Sequence, residues 1–375
     1  MKPSMGKIPM DLYVESYSDI SLLPVAAQQA LAKAEIANVE QGESWLENLI
    51  GTVFSNDSEI YFYALYSGRD LQVLLPVRLV NDRHTQRIES LGNFYTSLYQ
   101  PFFSSGVSPD SLAFMLRKIL AEHPEAVSLR LSPMDVGGRQ YQLLMSATCI
   151  AGLAGFPFFC FGNWYLRVKD SWPIYLAQRS SQVRRTIKRK SKEFRSAGGV
   201  IELIFGGEQL EYGIRAYTSV YLASWKVPEP YPEFTPGLIR MLARKGWLRL
   251  GVASIEGRAI AAQIWIVAHG KASIFKLAYH EEFKQYSAGT LLTASLMAHV
   301  TDVDCVNEVD YLIGDDNYKA AWMSERRERW GIIAYNLKTF RGLVSCGRER
   351  IVRVLKALIS KNRRPGMPVG AGPTR

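Results

Sequence analysis

The hydrophobic pattern of the chain begins with a set of short β-strands. Residues 60–80, IYFYALYSGRDLQVLLPVRLV, alternate between apolar and polar positions on both sides of Gly68, which predicts a hairpin. A third strand is predicted near residues 85–91. Ser108-Pro109-Asp110 then marks the start of a helix, because serine caps helices and proline suits their first turn. Residues 126–132, AVSLRLS, predict a further strand.

The second half of the chain repeats this order. Residues 248–268 predict a hairpin about Gly257, and Gly270 turns the chain into another strand. A helix is predicted over residues 290–300 and a strand over 308–313. Each half therefore runs strand, strand, strand, helix, strand. The repetition predicts an α/β (α+β) fold built from two matching mixed-sheet modules.

One uncharged segment, residues 141–161, is long enough to cross a bilayer. Its polar residues, its two glycines and Pro157 argue against a continuous span, because proline disrupts a helix. We therefore expect a buried helix of about four turns that ends near Gly155 or Phe156, followed by a strand.

Charge changes this picture in two places. The chain has 45 Lys and Arg against 35 Asp and Glu, a net charge of +10. A single helix is predicted from Trp172 to Ala197, and eight basic residues lie between Arg179 and Arg195 against one acid. Residues 341–360 predict an amphipathic basic helix before a loose basic tail. We expect that helix to pack its apolar side on the second module, the alternative being contact with a membrane surface.

Several classes of site are not expected. The four cysteines never approach CxxC spacing, which argues against disulfides and zinc ribbons and favours a reducing cytoplasmic compartment. The five histidines show no paired ligand spacing, so no metal site is predicted. The chain also has no Gly-x-Ser-x-Gly elbow, no Walker loop and no GxGxxG motif.

Small residues precede the predicted helix at 290–300 and form a candidate phosphate loop. Backbone N–H groups at the positive end of a helix can hold a pyrophosphate. The other interpretation is an ordinary helix start with a glycine in the turn. The candidate cofactor-binding residues are Gln285, Tyr286, Ser287, Ala288, Gly289 and Thr290.

A second candidate segment follows, from Asp310 to Trp322. Asp310 lies on a predicted strand, and Tyr318, Lys319 and Trp322 lie one turn apart on a short helix after Gly314. This would place a carboxylate, a phenol and an ammonium together at the mouth of the sheet. Acyl transfer needs a base for the attacking group and a donor for the departing thiolate. The other interpretation is a polar cap over the end of the sheet, with the tryptophan in the core.

Four ordered motifs carry a resemblance to a known family: RSSQVRRTIKRKSKEFRSAGGVIEL, Ser224-Trp225-Lys226, YSAGTLLTASL and DYLIGDDNYKAAW. Together they resemble the CelD/BcsL (BioF2-like) acetyltransferase family, a branch of the GNAT superfamily related to FemAB-type transferases. The resemblance covers roughly residues 45–336.

This resemblance implies a tandem GNAT-like fold and transfer of an acyl group to an amine or hydroxyl. It implies acetyl-CoA or another acyl-CoA as cosubstrate, with no permanently bound cofactor. The implied modules are residues 11–162 and 163–345, followed by a basic end at 346–375. The implied acceptor is a sugar, amino sugar, amino acid or other glycan precursor in extracellular polysaccharide or cell-envelope biosynthesis.

The same resemblance assigns the site residues. Residues 285–290 match the CoA pyrophosphate segment, although Ala288 stands where a strict GNAT loop has glycine. The assigned catalytic residues are Asp310, Tyr318 and Lys319, and the assigned substrate contacts are Arg184, Lys188, Trp225 and Trp322.

Two other functions remain open from the sequence. A FemAB-like enzyme would take aminoacyl-tRNA as donor, with the helix at 179–195 holding RNA phosphates, whereas other nucleic acid is not expected. A non-catalytic scaffold would bind the inner face of the membrane through residues 341–360. Either way we expect a cytoplasmic protein, with peripheral membrane contact through that helix as the alternative to its packing on the second module.

Overall fold

The computed structural model describes residues 11–55, 59–82 and 85–362. The strands of these residues are β1 (Leu12–Tyr17), β2 (Glu59–Ser67), β3 (Asp70–Asp82), β4 (Thr85–Ser90), β5 (Phe102–Phe103), β6 (Ala126–Asp135), β7 (Leu153–Arg167), β8 (Gly199–Ile204), β9 (Leu248–Ile255), β10 (Arg258–Ala268), β11 (Lys271–Tyr279), β12 (Glu308–Asp310) and β13 (Glu325–Asn336). The helices are α1 (Val25–Ala37), α2 (Glu43–Val53), α3 (Pro109–Glu122), α4 (Arg139–Ile150), α5 (Trp172–Gln178), α6 (Ser181–Ser196), α7 (Leu210–Leu222), α8 (Phe234–Arg244), α9 (Ala288–Asp302), α10 (Asn317–Ala320) and α11 (Phe340–Asn362).

All of these strands belong to one sheet, in the order β1-β2-β3-β4-β6-β13-β7-β12-β11-β10-β9-β8, with β5 paired to β3. The first unit contributes β1 to β7 and the second contributes β8 to β13. Each unit sends its last strand into the other half of the sheet, so that β13 lies between β6 and β7. The predicted α/β class with two matching modules is confirmed.

The exchanged strands bear on the predicted module limits. The limit at 162/163 lies inside β7, and the limit at 345/346 lies inside α11. As limits of independently folding modules they stay predictions. In the structure the two units also share a core, because Trp45 of α2 packs edge-on against Phe234 of α8 at 5.9 Å. The side chain of Asn48 adds a hydrogen bond to the carbonyl oxygen of Phe234.

The uncharged segment differs from its prediction. α4 ends at Ile150, several residues earlier than expected, because Gly152 turns the chain with φ +83°. Pro157 therefore lies inside β7 rather than after a helix. β12 pairs with β7 only at residues 165–167. At Pro157 the strand therefore has a partner, β13, on one side only. The missing N–H of the proline then leaves no strand hydrogen bond unmade. There its carbonyl oxygen accepts a hydrogen bond from Arg353.

The basic segment between the units forms two helices rather than the single helix expected. α5 ends at Gln178, Arg179 is extended, and Ser180 caps α6 by accepting from the N–H of Val183. Serine satisfies the free N–H groups of a first turn in this way, which favours a new helix start. Phe194 and Tyr175 are buried in the core beneath α9.

The last helix, α11, forms as predicted, but its apolar side faces solvent. We expected that side to pack on the second unit, whereas Leu343, Ile351 and Leu355 are all exposed. Across the described residues, no helix combines the length and the apolar character needed to span a membrane.

Candidate active site

A cleft opens where two parallel strands separate. β11 and β12 pair only over Lys271–Ser273 and Glu308–Asp310, and then diverge. The chain after β12 is drawn toward β7, because the N–H of Tyr311 donates to the carbonyl oxygen of Trp164 at 2.9 Å. Leu312 has φ +53°, which completes the turn away from β11. A cavity of about 710 Å³ fills the gap.

Both units supply walls to this cavity, which we call the cleft. Its lining is formed by Phe94 and Tyr95 of the first unit, Trp225 and Lys226 of the loop after α7, Gln263 of β10, Ile274, Phe275, Lys276, Leu277 and Tyr279 of β11, Gly289, Thr290 and Thr293 of α9, and Tyr311, Leu312, Ile313, Asp316, Tyr318, Lys319 and Trp322. Aromatic rings and three lysines dominate this set.

The candidate phosphate loop lies at one end of the cleft. Ser287 precedes α9 in the left-handed conformation, with φ +51°, and its side chain makes no capping bond. The N–H groups of Ala288 and Gly289 find no acceptor among the described residues. Because the first N–H groups of a helix need acceptors, an uncapped start can bind an anion.

The six residues predicted at this loop contribute differently. Gly289 and Thr290 line the cleft, whereas the side chain of Ala288 is buried in the core, so only its backbone faces outward. Gln285 and Tyr286 lie in the 3₁₀ turn Glu281–Tyr286 that leads to Ser287.

A buried glutamine fixes the first turn of α9, which sequence reasoning missed. The amide of Gln263 donates to the carbonyl oxygen of Gly289 at 2.9 Å and to the hydroxyl of Thr293 at 2.8 Å. Its own oxygen accepts from the indole N–H of Trp265. This network holds the helix start rigid beside the cleft, and an isolated polar residue in an apolar strand was its signal in the sequence.

The structure brings Tyr318, Lys319 and Trp322 to the cleft, as predicted. Burial raises the pKa of the Tyr318 phenol to about 12, with Asp316 adding to the shift, so the group stays protonated at neutral pH and can donate a proton. The ammonium of Lys319 donates to the carbonyl oxygens of Ile313 and Gly314. Lys319 therefore fixes the turn between β12 and α10.

Asp310 does not join them. Successive residues of a strand point to opposite faces, and the carboxylate of Asp310 lies on the face away from α9, beside a second cavity of about 360 Å³. It accepts hydrogen bonds from Asn163, Arg327 and Lys271. Although burial would raise its pKa, Lys271 and Arg327 hold it well below the usual range. Asp310 is thus a fixed carboxylate that anchors the divergence point, not a proton acceptor in the cleft.

Lys226 belongs to the Ser224-Trp225-Lys226 motif, but the sequence analysis assigned a role only to its neighbour Trp225. Its ammonium donates to the carbonyl oxygen of Leu277 on the cleft side of β11. Burial lowers the pKa of Lys226 to about 8, and the charge of Lys276 adds to the effect. A lysine with this pKa is partly neutral near pH 7 and can accept a proton. Trp225 packs on Tyr279, with ring centroids 4.5 Å apart.

An ion pair ties the loop between α7 and α8 to the floor of the cleft. Lys276 of β11 pairs with Glu229, and that carboxylate also accepts from the hydroxyls of Tyr95 and Thr235. The loop after α7 is thereby held against both units, so it forms a wall of the cleft.

The predicted contacts Arg184 and Lys188 lie outside the cleft. Both are exposed on α6, which packs against α9 and the 3₁₀ turn before it. They form part of a basic surface on α6 next to the uncapped helix start. Within the described part of the chain, no group of three or more His, Cys, Asp and Glu side chains could hold a metal ion.

Comparisons with known proteins agree with this geometry. Residues 181–320 match the family model described as an acetyltransferase (GNAT) domain. No curated protein matches the chain.

Solved structures share the fold at low identity. FemX has 10% identity and a TM-score of 0.58, with 86% of this chain and 98% of that chain covered. A protein of unknown function from Bacteroides thetaiotaomicron VPI-5482 has 8% identity and a TM-score of 0.57, covering 86% and 100%. The C-terminal domain (DUF2156) of a putative lysylphosphatidylglycerol synthetase from Agrobacterium fabrum has 12% identity and a TM-score of 0.50, covering 91% and 100%.

The domain match confirms the GNAT part of the resemblance for residues 181–320, while the CelD/BcsL branch stays a prediction. The matched domain is that of an enzyme, which argues against the non-catalytic scaffold. The protein is an acyltransferase that carries a GNAT domain at residues 181–320, within a fold of two matching mixed-sheet units.

Proposed function

We propose that the protein transfers an acyl group, in the first instance acetyl, from acyl-CoA to an amine or hydroxyl of an acceptor held in the cleft. The observation that carries the proposal is the separation of β11 from β12 beside the uncapped start of α9. A thioester donor needs both features, an open channel for its arm and an anion site for its phosphates.

The donor would lie along β11. Beyond Ser273 the cleft side of β11 has no strand partner in β12, so its backbone can accept an extended amide-containing arm. The N–H groups of Ala288 and Gly289 would then bind the pyrophosphate. The basic face of α6, with Arg184 and Lys188, lies beside this position and would attract the remaining phosphate.

The cleft holds groups for both proton transfers. The acceptor nitrogen attacks the thioester carbon, the carbon–nitrogen bond forms and the carbon–sulfur bond breaks. Neutral Lys226 takes the proton released by the nitrogen and becomes an ammonium. The departing thiolate takes the phenolic proton of Tyr318. Lys319 positions the turn that carries Tyr318 by holding the carbonyl oxygens of Ile313 and Gly314.

The acceptor side of the cleft suits a polar ring compound. Phe94, Trp225 and Trp322 offer apolar faces, while Asp316 and the Lys276–Glu229 pair offer charged partners. Pockets of this composition orient small polar ligands through a few fixed groups. We therefore propose a sugar, amino sugar or amino acid as acceptor. The resemblance to the CelD/BcsL family supports a place in polysaccharide or envelope biosynthesis.

A second donor has one observation in its favour. α6 presents a row of exposed arginines and lysines next to the mouth of the cleft, and such a row binds RNA phosphates as readily as those of CoA. Aminoacyl-tRNA is therefore the alternative donor.

The deciding experiment is calorimetric titration of the purified protein with acetyl-CoA and with free CoA. We expect saturable binding that weakens in Gly289→Val, because a branched side chain would crowd the helix start beside Tyr279. Gly51→Val is the matched control, since a Cβ at Gly51 meets nothing within 4 Å. Absence of CoA binding in the wild type, together with tight binding of aminoacyl-tRNA, would transfer the proposal to the second donor.

A further inference from the structure

The last helix, α11, is held to the protein by one narrow side. Gly342, Cys346, Glu349 and Arg353 recur at helical spacing and face β13 and β6. Gly342 comes so close to β13 that an added Cβ would lie 2.0 Å from the carbonyl oxygen of Asn336. Arg353 donates to the carbonyl oxygen of Pro157 in β7. These contacts fix the rotation of the helix about its own axis.

The opposite side of α11 is apolar and uncovered. Six of its residues share one helical face and are each 52–63% exposed: Leu343, Val344, Ile351, Val354, Leu355 and Leu358. Single exposed apolar side chains are common on proteins. A row of six from Leu343 to Leu358 extends over a little more than about four turns of helix, and apolar patches of that kind mark interaction surfaces.

Positive charge borders this apolar face. By helical spacing Arg341 and Arg348 lie on one margin and Arg350 lies on the other. None of these three comes within ion-pair distance of a carboxylate in the described residues. The only acid of the helix, Glu349, lies on the protein side and is paired with Arg353 at 2.7 Å.

We propose that α11 docks in the plane of an anionic bilayer surface. Its six apolar residues would enter the boundary between headgroups and acyl chains, and the bordering arginines would contact lipid phosphates. A second copy of the chain is a poorer occupant, because its α11 would bring the same unpaired arginines against these. The sequence continues with Lys361, Arg363, Arg364 and Arg375 and no acid, which adds to the attraction for a negative surface.

The proposal is tested by flotation of the full chain with vesicles of phosphatidylcholine, with and without phosphatidylglycerol. We expect partition onto the vesicles that contain phosphatidylglycerol and about tenfold less in Ile351→Asp/Leu355→Asp. The matched control is Val25→Asp/Val303→Asp, which adds the same charge at two exposed apolar positions outside α11. We expect the control to partition like the wild type. Arg348→Gln/Arg350→Gln should lose about tenfold on anionic vesicles.

Two results would overturn the proposal. One is equal partition of the Ile351→Asp/Leu355→Asp variant and its control, with both folded by circular dichroism. The other is a wild-type dimer in light scattering that this variant converts to a monomer, without specific vesicle binding by the wild type. Because the readout is lipid binding without turnover, failure here leaves the proposed reaction untouched.

Discussion

The two units of the sheet have the same order of elements, but they differ in how one pair of parallel strands ends. In the first unit β4 and β6 stay paired through Glu89 and Arg130. The hydroxyl of Ser90 continues the contact by donating to the carbonyl oxygen of Ser132 at 2.7 Å. In the second unit the equivalent strands, β11 and β12, separate after three residues. The first unit is closed where the second has its cleft.

The helices that follow differ in the same sense. α3 begins with a capping box, in which the hydroxyl of Ser108 accepts from the N–H of Ser111 and Pro109 has no N–H to satisfy. α9 begins at Ser287 with no side-chain cap. A capped start leaves fewer free donors for an anion than an uncapped start beside a cavity does.

One of two similar units can thus support the cleft of the other without being open at the equivalent place. The first unit places Phe94 and Tyr95 in the wall of the second unit's cleft, and Tyr95 bonds to Glu229 across the boundary. The exchanged strands make this arrangement rigid, because β13 of the second unit is paired to β6 of the first.

The largest expected effect concerns the anchor of the divergence point. Asp310→Asn removes the buried negative charge that pairs with Lys271 and Arg327. This loss should lower the free energy of unfolding by about 3 kcal/mol. Because the folded pKa of Asp310 is depressed, its stabilisation is present above the unfolded pKa of about 4 and is lost as pH falls toward the folded pKa. Urea unfolding at neutral and acidic pH measures both.

Asp315→Asn is the control for that change, because Asp315 pairs with Arg326 on the surface. Its unfolding midpoint should move far less. If both variants were equally stable, the account of Asp310 as the anchor would be wrong.

Tyr318→Phe tests whether the reaction takes place in the cleft of the second unit. Loss of the phenolic proton donor should lower kcat about a hundredfold, with little change in melting temperature because the ring is half-exposed. Steady-state kinetics with the acceptor found by screening measures this effect. Tyr13→Phe in the first unit is the control and should keep full activity, and comparable losses in both variants would argue against Tyr318 as the acid.

Lys226→Met should lower kcat/KM roughly tenfold to a hundredfold. As the base must be neutral, wild-type kcat/KM should rise with pH and level off above the Lys226 pKa of about 8. The variant should lose this rise, and Lys226→Arg should not restore it, because arginine stays charged. The pH profile is the measurement, and an unchanged rise in Lys226→Met would assign the titration to another group. Lys118→Met on α3 provides the matched control.

The smallest effect compares the two helix starts directly. Ser108→Ala removes a cap and should cost about 1 kcal/mol of unfolding free energy. Ser287→Ala removes a side chain that caps nothing and should leave stability nearly unchanged. Urea unfolding of both variants makes the comparison, and equal losses would mean that α9 is capped after all.

Several features were determined by the sequence itself. The hairpins at Gly68 and Gly257, the capped start of α3 and the repeated element order follow from local signals, because alternation and turn residues act within a few positions. The positions of Tyr318, Lys319 and Trp322 beside the loop at 285–290 also follow from that order, since the strand ends and helix starts of one unit meet at one edge.

Other features were decided only by tertiary structure. The exchange of β7 and β13, the entry of Tyr95 into the cleft and the pairing of Lys276 with Glu229 all join residues far apart in sequence. The direction in which Asp310 points depends on strand register, where a shift of one residue reverses the face. The outward side of α11 depends on which few residues touch the sheet. The local sequence pattern does not specify these contacts and orientations, because they arise from packing between elements that are remote along the chain.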